Sequence, residues 1–281
     1  MMNRDQKFEA FKALHQQQGT AFVMPNPWDA GTARLLTHAG FEALATTSAG
    51  YAFAAGKRDS FSSLSCEEIL INAKAIVDAT DLPVSADLED GFGRDPTRCA
   101  QTIGMAIDIG LVGGSIEDAT GDPDEPVLPI GLATDRIRAA AEAAKDRGFL
   151  LTGRAENFIS GRPDLADTIK RLQAYSEAGA DVLYAPGLPD LDAISTICRE
   201  VDKPVNVVMG LSGQAYTVPE LSAAGVRRIS VGGSFARAAL GALRRAAEEV
   251  MHQGTFTYAK AAIPDGEMAA LMDQTKQSDR S

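Results

Sequence analysis

Eight short, β-rich apolar runs recur along the chain, and most are followed by a stretch whose apolar residues fall at i, i+3, i+4 and i+7. The runs are AFVMP (21–25), ALATTS (43–48), LPVSAD (82–87), GGSIED (113–118), FLLTGRAE (149–156), DVLYAP (181–186), PVNVVM (204–209) and RRISVGG (227–233). Helical periods include PWDAGTARLLTHAG, SCEEILINAKAIVDAT, PTRCAQTIGMAIDIG, ATDRIRAAAEAAKDRG, DLADTIKRLQAYSEAGA and LDAISTICREVD. Strands alternating with helices imply parallel pairing through right-handed crossovers. Eight such units in 281 residues predict a closed (β/α)8 barrel. The alternative is an open doubly wound sheet, but no glycine fingerprint opens the first helix, which weakens a dinucleotide-binding version.

Beyond the eighth run, SFARAALGALRRAAEEVMHQG is a long helix, TFTYAKAAIPDG a hinge, and EMAALMDQ a short helix with nothing left in the barrel to cover. The expected division is a barrel over 1–255 and a C-terminal segment over 256–281, with its helix packed on a neighbouring subunit and a frayed tail, QTKQSDRS. No apolar run reaches bilayer length and the N-terminus lacks a signal-peptide core, so a cytoplasmic protein without membrane association is expected. A net charge of −11 argues against nucleic acid. Three cysteines, Cys66, Cys99 and Cys198, at unrelated spacings argue against a disulfide framework or a zinc site.

In a barrel of this kind, chemistry sits at the C-terminal ends of the strands. Those ends offer Thr46 to Gly50, then Asp87, Glu89 and Asp90, then Glu117 and Asp118. Arg154, Glu156 and Asn157 follow, then Tyr184, Asn206, Met209 and finally Gly232 to Ser234. Five carboxylates from two adjacent strands repel one another by several kcal/mol at low dielectric unless neutralised. A hard divalent cation with oxygen ligands is the economical answer, and Asp87, Glu89 and Glu117 are the expected metal set. Asp90 and Asp118 are the members best explained as caps or loop charges.

The landmarks NPWDAGTARLLTHAGFEAL, TTSAG, GKRD, SADLEDGFG, GGSIED and TGRAENF, in that order, resemble the isocitrate lyase / phosphoenolpyruvate mutase superfamily over nearly the whole chain. The resemblance implies a Mg²⁺-dependent barrel, with Mn²⁺ able to substitute, that binds small 2-oxo or 2-hydroxy acids and stabilises an enolate. It also implies homodimers or homotetramers formed by exchanging a C-terminal helix. By similarity Asp87 sits closest to the metal, and Asp59, Glu89 and Glu117 reach it through water. Ser48, Ala49 and Gly50 hold the substrate carboxylate, and Arg154 holds the substrate's oxygens from the far side. Asn206 joins the expected substrate-binding set, and Tyr184, if it points into the barrel, joins Arg154 and Asp59 in the catalytic one.

The departures from that pattern carry as much information. The family's lyases carry a Lys-Arg/Lys-Cys-Gly-His segment on the gating loop, and its mutases an Asn-Ser pair. This chain reads EDATGDPDEPVLPIG over 117–131, without Cys, His, Asn or Lys. All three cysteines, and His15, His38 and His252, fall on expected helices, and Pro186 stands where the family offers Glu or His after the sixth strand. The expected activity is therefore a lyase of decarboxylase type on an oxaloacetate-like 2-oxo acid. The alternatives are C–P cleavage of phosphonopyruvate, a 2-methylisocitrate lyase-like reaction, and a non-catalytic 2-oxo-acid binder.

Overall fold

Side-chain caps set where the helices begin. Asn3, Asp29 and Ser65 each accept an N–H from the third residue of the helix they precede, opening α1 (Arg4–Gln16), α2 (Ala30–His38) and α4 (Cys66–Asp78). Strand β1 (Phe22–Met24) lies between the first two, and β2 (Leu44–Ala45) with a short α3 (Ser48–Ala54) precedes the third. Then follow β3 (Val84–Asp87), α5 (Pro96–Asp108), β4 (Gly113–Glu117), α6 (Ile130–Ala144), β5 (Leu150–Arg154) and α7 (Leu165–Glu177). The described chain ends with β6 (Val182–Tyr184), α8 (Leu191–Glu200), β7 (Val205–Val208), α9 (Val218–Ala223), β8 (Arg228–Ser230), α10 (Ser234–Gln253) and α11 (Asp265–Met272). This computed structural model describes residues 2–211 and 213–273, so the tail at 274–281 lies outside the described residues.

All eight expected strands form, and all pair in parallel, in the order β1-β8-β7-β6-β5-β4-β3-β2. The seam between β1 and β2 is closed by Ala45 N–H donating to the Pro25 carbonyl at 3.0 Å. Asn26 reinforces it: its amide donates to the Thr46 carbonyl at 2.9 Å and accepts from the N–H groups of Val231 and Gly232. One side chain thus ties three strands, and the sheet is a (β/α)8 barrel.

Helix α1 plugs the N-terminal mouth. Phe11 and Leu14 are buried with Phe22, Ala43, Val112 and Leu150, residues at or just before strand starts, and with Met24 and Ala45 further along β1 and β2. Burying Phe11 fully contributes roughly 1.5–3 kcal/mol. Gly113 makes room for it, since a Cβ there would come within 2.8 Å of the Phe11 ring. His15 is buried in the same plug, edge-on to Phe11 and Phe22, and burial pushes its imidazole down to about 3. It lies at the opposite mouth from the carboxylates, so it is no candidate for their proton chemistry.

Helix α10 behaves differently from the other barrel helices. Its first turn contacts α3, but Ala236 is its only buried residue, and Leu240, Leu243 and Met251 are exposed. Helix α11 lies against α2 of the same chain, where Arg34 donates to the Met272 carbonyl.

Candidate active site

Asp87 ends β3 and sits at the centre of the C-terminal rim. The Ser48 hydroxyl donates to its Oδ2 at 2.8 Å, the Glu89 N–H reaches its Oδ1 at 3.3 Å, and its own N–H is held by Thr46 Oγ1 at 3.0 Å. Ser48 is placed for this because Thr47 caps α3, pointing the first residues of that helix at the rim. After β3 the backbone turns sharply, with Glu89 in the left-handed region at φ 49°, and this brings the Glu89 side chain back beside Asp87.

Glu117, from β4, and Arg154, from β5, are register neighbours, and an Arg154 Nη1 stands 3.2 Å from Glu117 Oε2 and 3.8 Å from Asp87 Oδ1. Arg154 Nε also donates to Glu156, which is 3 % exposed, and the guanidinium lies 5.0 Å above the Tyr184 ring. One cation therefore serves five carboxylates, those of Asp59, Asp87, Glu89, Glu117 and Glu156. The shortfall is visible in their acidities. Burial, and then the charges of Asp87, Asp90 and Asp59, push the Glu89 carboxyl up to about 8. Burial lifts Glu117 well above the usual carboxylate range, even against Arg154. Asp59, exposed on its loop, is held up by partial desolvation and by Asp87. Burial likewise raises the Tyr184 phenol, leaving it protonated at neutral pH.

These donors are all hard oxygens facing one cavity of about 800 Å³, and they carry more negative charge than Arg154 neutralises. Among the described residues no three Asp, Glu, His or Cys side chains close into a cage around an ion. Such a set fits Mg²⁺, which keeps several waters and takes one or two carboxylates directly. Asp87, the most central, would be the direct ligand, with Glu89, Glu117 and Asp59 bonded to the retained waters.

Not every expected residue faces this cavity. Ser48, Ala49, Asp59, Asp87, Glu89, Glu117, Arg154 and Tyr184 line it. Gly50 does not: its N–H is held by Thr47 Oγ1 at 3.2 Å, and a Cβ there would meet Thr47 at 2.7 Å and Trp28 at 3.0 Å, so its role is close packing. Asn206 lies beneath the rim, where its amide donates to Ser230 Oγ at 3.1 Å and accepts from Arg228 Nε at 2.9 Å. Arg228 itself was not anticipated. It is 3 % exposed, holds Asn206 and Thr152 Oγ1, and helps line a polar well of about 60 Å³ that also reaches Asp87 and Arg154. The alternation of Arg228 with Ser230 along β8, both buried, is the signal that could have marked it as inward-facing.

Asp118 and Asp90 are structural. Asp118 accepts from Arg171 at 2.9 Å, Tyr175 at 2.6 Å and the Glu156 N–H at 2.8 Å, and Asp90 accepts from the Phe92 N–H. The gate is a folded hairpin, with Ala119 bridged to Val127 and Glu125 paired with Arg94 at 3.4 Å. Of its carboxylates only Asp122 lines the cavity. All three cysteines and all three histidines lie on helices, as expected.

Comparison with known proteins agrees with this architecture. The family model described as phosphoenolpyruvate phosphomutase matches residues 11–251. A 2-methylisocitrate lyase from Shewanella oneidensis (strain MR-1) is 30% identical over 224 residues, covering 76% of this chain and 75% of that protein. A solved structure from Burkholderia cenocepacia J2315, assigned as a lyase/mutase, is 54% identical, covers 95% of both chains and superposes with a TM-score of 0.92. A phosphonopyruvate hydrolase complex with oxalate and Mg²⁺ shares the fold at a TM-score of 0.84 and 24% identity, covering 96% of this chain and 95% of that one. With its carboxylate rim on a (β/α)8 barrel and a family match spanning most of its length, the chain belongs to the phosphoenolpyruvate phosphomutase family of the isocitrate lyase/PEP mutase superfamily of lyases and mutases.

Proposed function

We propose that the protein is a Mg²⁺-dependent lyase that cleaves a C–C bond in a small 2-oxo acid by way of an enolate, most simply the decarboxylation of an oxaloacetate-like substrate. The observation that supports this reading best is the pairing of an enolate-stabilising rim with a gate hairpin that has no Cys, His or Lys. When bound, Mg²⁺ supplies positive charge opposite the keto oxygen, where negative charge develops as the bond at C3 breaks. The start of α3 holds the substrate carboxylate through the Ala49 N–H and through the Ser48 hydroxyl, which turns to it from Asp87 when that carboxylate is engaged by the cation. Arg154 presents a planar, permanently charged fork to the substrate oxygens. The C3–carboxylate bond gives its electron pair to the enolate, CO₂ leaves without a base, and C3 takes one proton. Tyr184, protonated and on the cavity wall, or a water beside it, gives that proton. The hairpin acts as a lid that excludes bulk water.

A panel of 2-oxo, 2-hydroxy and phosphono acids with Mg²⁺ or Mn²⁺, assayed for pyruvate, tests the proposal. Stoichiometric CO₂ and pyruvate from oxaloacetate is the expected result. Phosphate release from phosphonopyruvate, or cleavage of 2-methylisocitrate, would replace it with one of those reactions, and oxalate binding without any product would make the protein a 2-oxo-acid binder.

The exposed apolar residues of α10, with Phe256, Tyr258 and Ile263 after it, support assembly into a dimer or tetramer through the C-terminal segment. Truncation near residue 260 is expected to lower the mass measured by light scattering. A monomeric full-length protein would refute this.

A further inference from the structure

We propose that Arg136, buried on α6, is a positioning residue of the site: from behind, it clamps together the two strand ends that carry Glu89 and Glu117. This rests on the metal-binding reading above and concerns how the chain keeps those two carboxylates in place. The first observation is a strained turn. After β3 the backbone enters the left-handed region at Glu89 (φ 49°), Gly91 (φ 72°) and Phe92 (φ 61°). Non-glycine residues such as Glu89 and Phe92 persist there only where their surroundings fix them.

The second observation is what fixes the turn. Two buried side chains on the helices behind it bond its carbonyls. Thr102 Oγ1, on α5, donates to the Gly91 carbonyl at 2.9 Å, and Arg136 Nη2 donates to that of Asp90. The Cys99 thiol faces the same Asp90 carbonyl at 3.8 Å and closes the space over Gly91, where a Cβ would come within 2.7 Å of the sulfur. Of these, Arg136 also reaches the neighbouring strand, where its Nη1 donates to the Glu117 carbonyl at 3.3 Å. The Glu117 N–H in turn donates to the Glu89 carbonyl at 3.0 Å, so the guanidinium closes a ring of hydrogen bonds through both strand ends. The third observation is the price of the arrangement. Arg136 is 1 % exposed, its Nε is a buried donor without a partner, and no carboxylate among the described residues pairs with it. A buried charge without a counter-ion is a poor way to stabilise a fold, and an apolar side chain of like volume often does as well or better. What an apolar side chain cannot copy is a planar fork that spans carbonyls on two strands.

Titration calorimetry of the full chain with Mn²⁺, beside thermal unfolding without metal, tests the clamp. Arg136→Met is expected to bind Mn²⁺ roughly 10- to 100-fold more weakly, the usual effect of removing a residue that orients a metal's ligands. Its metal-free unfolding midpoint should stay within about 4 °C of wild type. Arg136→Lys keeps the charge but cannot span both carbonyls, so it should recover only part of the affinity. A double-mutant cycle separates positioning from a general loosening of the barrel. In a Glu89→Gln background the penalty of Arg136→Met should shrink by at least about three-fold, whereas in Asp59→Asn, on another loop, it should keep its full size. Equal penalties in both backgrounds, unchanged Mn²⁺ affinity in Arg136→Met, or full recovery in Arg136→Lys overturns the clamp. Should Arg136→Met not fold, Thr102→Val loosens the same turn with its volume kept, and unchanged affinity in that variant and in Arg136→Lys overturns it equally. If wild type binds Mn²⁺ and the variants match it, this inference alone falls; if wild type binds none, the metal-binding reading falls with it.

Discussion

Asp87→Ala is expected to lower turnover by roughly 10³-fold and to abolish tight binding of Mn²⁺ and of oxalate, while the barrel stays folded. The loss follows from position. Asp87 is touched by residues from three directions, Ser48, Glu89 and Arg154, at the centre of the rim, so the cation would lose its central ligand and the substrate its orientation. The fold should survive because Asp87 is part of a crowd of like charges. It is the second-largest cause of the raised Glu89 carboxyl, so its removal relieves repulsion. Thermal unfolding with and without Mn²⁺ checks both halves. The midpoint without metal should match or exceed wild type, and the shift on adding Mn²⁺ should vanish, because a ligand stabilises only the state that binds it. Asp87→Asn repeats the test with the shape preserved. Full activity in either variant, or full activity of wild type in excess chelator, would remove the metal from the mechanism.

The residues of this cluster were legible because strand ends are legible. Asp87, Glu117 and Arg154 each close an apolar run, and a charge there must face the rim or be paid for by burial. What lies one layer lower was not. Asn206 reads in sequence like another rim residue, yet its amide is spent on Ser230 and Arg228. Arg228 is the second of two adjacent arginines, register decides which of them points inward, and β8 shows only three residues from which to judge it. Gly50 was expected to hold substrate by its N–H, but Thr47 reaches that N–H first, a competition set by the cap of a helix too short to show a period. Helix α1 was equally hidden: its Phe11 and Leu14 have meaning only against strand starts far along the chain.

Removing the charge of Arg154 should have the second large effect, and this one depends on pH. Glu156, 3 % exposed, and Glu117, 14 % exposed at its side chain, are both raised by burial even while Arg154 holds them down. In Arg154→Met, with chelator present, that restraint is gone and both carboxyls rise further in the folded state. Unfolded, they titrate near 4.5. A carboxyl raised by folding gives stability that is whole below its unfolded value and is lost as pH climbs towards the folded one, by about 1.4 kcal/mol per unit for each group. The variant should therefore lie within about 1 kcal/mol of wild type near pH 5, where the carboxyls are largely protonated in both, and fall behind as pH climbs past the values Arg154 sets in wild type, by up to roughly 3–5 kcal/mol, the usual cost of stranding a buried charge. Urea unfolding across that range measures it. Arg154→Lys keeps the charge and loses the fork, so it should recover most of the stability while turnover stays low. A deficit of equal size at every pH would mean that Arg154 matters through packing alone, and no deficit would mean that water already neutralises the rim.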